Sequence, residues 1–119
     1  MILEKPWGKI EAYTVNQPCT VKLITLNAGQ ETSLHYHKLR DDLWIILDNN
    51  LEVTIEDKVD TPQEGEEFMV PAEDRHKLRS LGEKGRVLEI DIGYTSEDDT
   101  YRVDDIYGRK LEEREENTL

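Results

Sequence analysis

Absences set the first limits on this chain of 119 residues. There is one cysteine, Cys19, and one phenylalanine. A lone thiol cannot close an intrachain disulfide, so nothing calls for an oxidising compartment, and Cys19 reads as a small core or strand residue rather than a reactive group. No apolar run is long enough to span a bilayer. The start, Met1 to Pro6, lacks the apolar stretch and small-residue cleavage site of a secretory leader, and a cytoplasmic location is expected. Positive charge is scarce: 15 Lys and Arg face 27 Asp and Glu, a formal net charge of −12. A field of that sign repels phosphate backbones and anionic lipid, which argues against nucleic-acid and membrane partners. Helical periodicity is also nearly absent before the C-terminus.

What remains is a strand pattern. β-branched and aromatic residues recur in short runs at Lys9–Val15, Cys19–Leu26, Glu31–His37, Asp42–Leu47, Leu51–Ile55, Glu66–Val70, His76–Leu81 and Arg86–Ile92. Turn-forming stretches separate them, among them Asn27-Ala28-Gly29-Gln30, Asp48-Asn49-Asn50 and Thr61 to Gly65. Short strands at this spacing make an all-β sandwich or barrel in one domain, residues 1–109, followed by a charged C-terminal tail, residues 110–119. Alternation assigns faces. Leu51, Val53 and Ile55 oppose Glu52, Thr54 and Glu56, so this strand is half-buried. Asp42 shares a face with Trp44 and Ile46, and Glu89 shares one with Val87 and Asp91, which makes both acids candidates for the interior. Trp44 and Tyr36 read as core or pocket wall.

The chain has three histidines, and two of them form His35-Tyr36-His37 at a strand end. Two positions apart on a strand, both imidazoles point to one face. A carboxylate follows at Asp42, or one position earlier at Asp41, and the third histidine, His76, opens a later strand. Three imidazoles and one carboxylate suit a divalent Zn, Mn, Co, Ni or Fe ion and leave coordination positions for water or substrate. His76 by itself, at a strand start, would more often be an ordinary satisfied polar residue.

The run Ser33-Leu34-His35-Tyr36-His37-Lys38-Leu39-Arg40-Asp41-Asp42-Leu43-Trp44 resembles the first motif of the cupins, in the form found in the C-terminal domain of type II phosphomannose isomerases. Lys5-Pro6-Trp7-Gly8, Val21-Lys22, Val70-Pro71-Ala72 with His76, and Glu97-Asp98-Asp99 leading to Asp105-Ile106-Tyr107-Gly108-Arg109 extend the similarity over nearly the whole chain. The resemblance implies a double-stranded β-helix, or jelly-roll, barrel. It implies a divalent metal at His35, His37, Asp42 and His76, and interconversion of mannose 6-phosphate and fructose 6-phosphate by metal-assisted proton transfer. Arg40 matches the family arginine after the histidines and is expected to bind substrate. Lys22 is a candidate for phosphate contact or proton transfer, and Glu89 a lower-ranked candidate for the proton-transfer role. The family usually has glutamine at the position of His35 and glutamate at that of Asp42. A non-catalytic metal- or sugar-binding module and a metal-dependent oxygenase are the alternatives. A sugar phosphate is the expected small-molecule partner, and a homodimer paired through edge strands is the expected assembly.

Overall fold

The computed structural model describes residues 1–109 and Leu111; the expected charged tail otherwise lies outside the described residues. The body is all β. Its strands are β1 (Ile2–Lys5), β2 (Gly8–Glu11), β3 (Cys19–Leu26), β4 (Leu34–Tyr36), β5 (Arg40–Ile46), β6 (Leu51–Ile55), β7 (Lys58–Asp60), β8 (Glu67–Val70), β9 (His76–Ser80), β10 (Gly85–Gly93) and β11 (Tyr101–Asp104), with one short 3₁₀ turn at Glu97–Asp99. Two sheets enclose the interior, one ordered β3-β10-β5-β8 and the other β11-β4-β9-β6-β7, while β1 and β2 form a separate hairpin. All pairings are antiparallel. Such sheets pack a core on one face and can leave the other polar or exposed, which matches the alternation in the sequence.

The core is made by inward residues of both sheets: Trp44 and Ile46 on β5, Val87 on β10, Leu51 and Val53 on β6, Leu78 on β9, with Leu26 and Val70 closing the ends of β3 and β8. Asp42, Glu89 and Asp91 continue the same inward faces and are buried. Register explains the grouping: Glu89 lies between Lys22 and Trp44, and Asp91 lies beside Asp42. Gly93 ends β10 at φ +126, and a Cβ there would come 2.6 Å from the Leu39 carbonyl oxygen. Only glycine lets β10 pass this close to the turn that aims Arg40 inward.

Several expectations shift. β3 and β6 have the expected bounds, whereas the expected strand over residues 31–37 narrows to Leu34–Tyr36, with Glu31 joined to Arg79 by a single bridge. The expected strand over residues 9–15 becomes the second arm of the β1–β2 hairpin. β7 and β11 were not expected. Cys19 is a strand residue but an exposed one, on the outer side of β3, because the inward positions of that strand are Lys22, Ile24 and Leu26.

Candidate metal centre

The pairing of β4 with β9 sets His35 directly opposite His76, and His37 follows just beyond the end of β4. The three imidazoles converge, with ring centroids 4.5 to 5.1 Å apart. Each offers a ring nitrogen within 4.8 Å of the others. Asp42 arrives from the facing sheet, its Oδ2 lying 3.6 Å from His37 Nε2 and 3.5 Å from His76 Nε2. Asp41 faces outward and accepts a hydrogen bond from the Ala72 amide at 2.7 Å, so Asp42 is the carboxylate that meets the histidines.

The orientation of each ring is fixed by main chain, joined at His35 by the Ser33 hydroxyl 2.8 Å from Nδ1. His37 Nδ1 donates to the Asp99 carbonyl at 2.9 Å, His76 Nδ1 to the Asp74 carbonyl at 2.8 Å, and His35 Nδ1 to the Ser33 carbonyl at 2.9 Å. With the proton held on Nδ1, Nε2 carries the lone pair and points to the common centre. Burial, reinforced by the other two imidazoles, holds His35 down to about 2. Burial alone dominates at His76, lowered to about 3, and it lowers His37 too. Neutral rings at neutral pH are what a cation requires.

Two buried atoms at this centre, Asp42 Oδ2 and His76 Nε2, have no hydrogen-bond partner among the described residues. Leaving a buried acceptor unsatisfied costs about 1–3 kcal/mol. Two such acceptors aimed at one point, beside two more imidazoles, fit a cation of the first transition series. The residues present therefore fit the expected metal.

Asp99, which sequence reasoning left unassigned, organises the loop behind the site. It is buried, and its carboxylate accepts from the Lys38 and Leu39 amides at 3.1 and 2.9 Å while its carbonyl orients His37.

A second cluster adjoins the first. Arg40 is buried, with Nε 2.8 Å from Asp42 Oδ1, Nη1 3.5 Å from Asp91 and Nη2 3.9 Å from Glu89. Its Nη2 also donates to His37 Nε2 at 2.9 Å. Lys22 sits 2.9 Å from Asp91 and 3.9 Å from Glu89. Glu89 accepts from the Trp44 indole at 2.9 Å. Three carboxyls thus share two cations. Burial raises the carboxyls of Asp42 and Glu89 above the usual carboxylate range. Burial opposes ionisation of Asp91 as well, yet hydrogen bonds from Glu89 and Lys22 hold its carboxyl low. The cluster accordingly keeps a proton on the Glu89–Asp42 side at neutral pH.

Beside both clusters opens a cavity of about 400 Å³, lined in part by His35, His37, Lys22, Arg40 and Glu89. Its wall includes Arg102 and Arg109, which the sequence reading did not assign to the site. β11 pairs with β4 so that Arg102 lies beside His35, and Arg102 Nε is buried without a partner among the described residues. Arg109 is braced by Asp105 at 2.9 Å. The Asp105 to Arg109 run marked the resemblance in the sequence, but nothing in its spacing placed it against the histidines.

The sequence profile described as mannose-6-phosphate isomerase C-terminal matches residues 2–105. The chain belongs to that family. Alginate biosynthesis protein AlgA of Pseudomonas aeruginosa is 32% identical over 110 residues, covering 91% of this chain and 23% of AlgA. Mannose-1-phosphate guanylyltransferase ManC of Salmonella typhimurium is 32% identical over 107 residues, covering 88% of this chain and 22% of ManC. The chain thus spans less than a quarter of the length of these relatives. Among solved structures, the cupin domain of Schizosaccharomyces pombe Cnp3 superposes with a TM-score of 0.60 at 18% identity, over 70% of this chain and 61% of that one. At that identity the likeness speaks for the fold alone, a cupin barrel, as the mannose-6-phosphate isomerase C-terminal family membership implies. No helix among the described residues is long and apolar enough to cross a membrane.

Proposed function

We propose that this barrel is a metal-dependent isomerase of a sugar phosphate, of the mannose 6-phosphate to fructose 6-phosphate type. The observation that carries the reading is the cavity wall, where a three-histidine, one-carboxylate cluster stands beside Lys22, Arg102 and Arg109 in a chain whose net charge is −12. On that wall the four cations Lys22, Arg40, Arg102 and Arg109 outnumber Glu31, Glu89 and Glu97, a local positive excess in so acidic a molecule that suits an anionic substrate.

His35, His37, Asp42 and His76 would hold the divalent ion. When bound, it supplies a Lewis acid that polarises a sugar carbonyl. Arg102 and Arg109, at the cavity wall, take the phosphate; guanidinium groups match phosphate oxygens in geometry and remain charged. Lys22 lines the same wall as Glu89, engaged with Asp91 at 2.9 Å and 3.9 Å from Glu89. Glu89 then moves a proton between adjacent sugar carbons, because burial has raised its carboxyl into the range where it can both give and take one. Arg40 orders Asp42, Asp91 and Glu89 and so positions the ligand and the proton carrier together.

A second reading, a module that binds metal or sugar without turnover, draws on one observation: the three carboxyls beside the histidines are already paired with Lys22 and Arg40. The oxygenase alternative has no observation of its own, and the four cations Lys22, Arg40, Arg102 and Arg109 on the cavity wall suit an anionic substrate better. The deciding experiment is elemental analysis of the purified chain, followed on the same sample by a coupled assay converting mannose 6-phosphate to fructose 6-phosphate. Stoichiometric metal with turnover abolished by a chelator supports the isomerase. Stoichiometric metal without turnover supports the binding module.

A further inference from the structure

Beyond β11 the chain turns back on itself. The Gly108 amide donates to the Asp105 carbonyl at 3.2 Å, and Gly108 adopts φ +74, a left-handed conformation open to glycine without strain. Arg109 is thereby returned to Asp105, whose carboxylate accepts from the Arg109 amide at 2.7 Å and from Nε and Nη2 at 2.9 and 3.0 Å. This pairing holds the Asp105 carboxyl down to about 2, so the brace is ionised at neutral pH. It occupies the Nε edge of the guanidinium and leaves Nη1 at the other, on a side chain 48% exposed at the cavity wall.

A second tether joins this turn to the loop between β3 and β4. The Tyr107 hydroxyl donates to Gln30 Oε1 at 2.7 Å, while the Arg109 guanidinium lies 5.5 Å from the centre of the same ring. Gln30 is a fixed post: its amide donates to the Asn27 carbonyl at 3.0 Å, and its carbonyl accepts from the Ser80 amide at 2.9 Å. The residues that follow it, Glu31 to Ser33, line the same cavity as Arg109 and lead directly to His35. Hydrogen bonds rather than burial hold the turn, since Ile106 is 60% and Tyr107 51% exposed. Exposed hydrogen bonds contribute little individually, so a segment held in this way opens readily.

Resting on the sugar-phosphate reading above, we infer that residues 105–109 are a strap, clasped to Gln30 by Tyr107, that sets Arg109 at the cavity wall to receive the phosphate of the substrate. Arg109 is the strap residue that meets the ligand; Asp105, Tyr107 and Gln30 are positioning residues with separate parts. Asp105 fixes the plane of the guanidinium. Tyr107 fixes where the turn lies, and Gln30 ties it to the loop that leads to His35. A phosphate monoester completes the arrangement, because its oxygens accept from Nη1 on the edge that Asp105 leaves open and so add a bond to the strap. Release of the clasp frees that bond, which couples departure of product to movement of the strap. An unphosphorylated sugar gives Arg109 nothing to hold.

Titration calorimetry of the full, metal-bearing chain with mannose 6-phosphate tests this, alongside Arg109→Ala, Tyr107→Phe, Gln30→Ala and the double variant of the last two. Arg109→Ala should weaken binding by about tenfold or more. Tyr107→Phe keeps the ring and loses only the hydroxyl. It and Gln30→Ala should each weaken binding by about three- to fivefold, the double variant by no more than either alone, with metal content unchanged throughout. Hydrogen exchange supplies the readout that a merely structural role would not move: mannose 6-phosphate should slow exchange of the Gly108 and Arg109 amides by about tenfold in the parent chain, and by far less in Tyr107→Phe. Binding that falls in Arg109→Ala but stays at the parent level in both clasp variants overturns the strap and spares the sugar-phosphate reading. Binding that Arg109→Ala leaves unchanged, or amides that mannose 6-phosphate does not protect, overturns the strap as well. A parent chain that binds no mannose 6-phosphate overturns that reading together with the strap.

Discussion

Along β5 the inward side chains run Arg40, Asp42, Trp44, Ile46, and along β10 they run Asp91, Glu89, Val87, so the same strands carry ions at one end of the barrel and hydrocarbon at the other. β9 behaves alike, passing from His76 to Leu78. The apolar end holds the sheets together by excluding water. The ionic end is expensive to bury and is held by cross-pairing and by main-chain hydrogen bonds. Trp44 marks the border, its indole nitrogen on Glu89 and its ring 5.3 Å from His76. The two ends ought therefore to be separable by mutation, one governing stability and the other chemistry.

The largest effect should come from the apolar end. Leu51→Ala, at a fully buried position, should lower unfolding free energy by about 2–5 kcal/mol in urea titration, with metal content per folded chain unchanged. Loss of metal in that variant would break the division.

At the other end, His37→Ala and His76→Ala should abolish metal occupancy in elemental analysis while the circular dichroism spectrum is kept. Full occupancy in both variants would remove the proposed centre.

Asp99→Ala tests whether the loop behind His37 positions the ring. Loss of the two amide contacts should weaken metal affinity by about tenfold, read by competition with a chromogenic chelator, with the apolar end unaffected.

Acid should also act on this end alone. Because burial raises the Asp42 carboxyl, while His35 at about 2 and His76 at about 3 stay unprotonated, Asp42 is the ligand that protons contest first. Metal affinity should then fall as pH drops below neutrality, with about one proton released per ion bound, as measured by calorimetry in buffers of different ionisation enthalpy. Affinity that is flat across that range would place the proton elsewhere.

The smallest effect is expected for Lys22→Ala, which should leave metal in place and weaken sugar-phosphate binding several-fold, since Asp91 already engages the ammonium group.

How much of this was legible beforehand depended on whether the signal was local. Period-two alternation in β3, β5, β6 and β10 exposed both the strands and their inward acids, because one buried face leaves its mark in every second residue. β7 and β11 escaped for different reasons. β7 is a three-residue strand turned back on β6 at Glu56, which adopts φ 53, and too short to show a period. β11 lies between acidic runs that carry no alternation of their own and becomes a strand because β4 receives it. Arg102 entered the cavity by that same pairing, more than sixty positions from His35 in sequence, where no spacing rule reaches. Asp99 stood in a run that carries the resemblance, Glu97-Asp98-Asp99, but nothing local marked which of the three carboxylates is buried.

All three imidazoles are oriented by carbonyl oxygens of the main chain, at Ser33, Asp74 and Asp99. A carbonyl belongs to every residue type, so no single codon change at those positions can delete the acceptor. At His37 and His76 the tautomers are thereby insulated from genetic drift to a degree that carboxylate partners would not allow, whereas at His35 the Ser33 hydroxyl also takes part. Divergence of such a centre is channelled to the ligands themselves and to the cavity wall, where substrate preference can change while the cation stays.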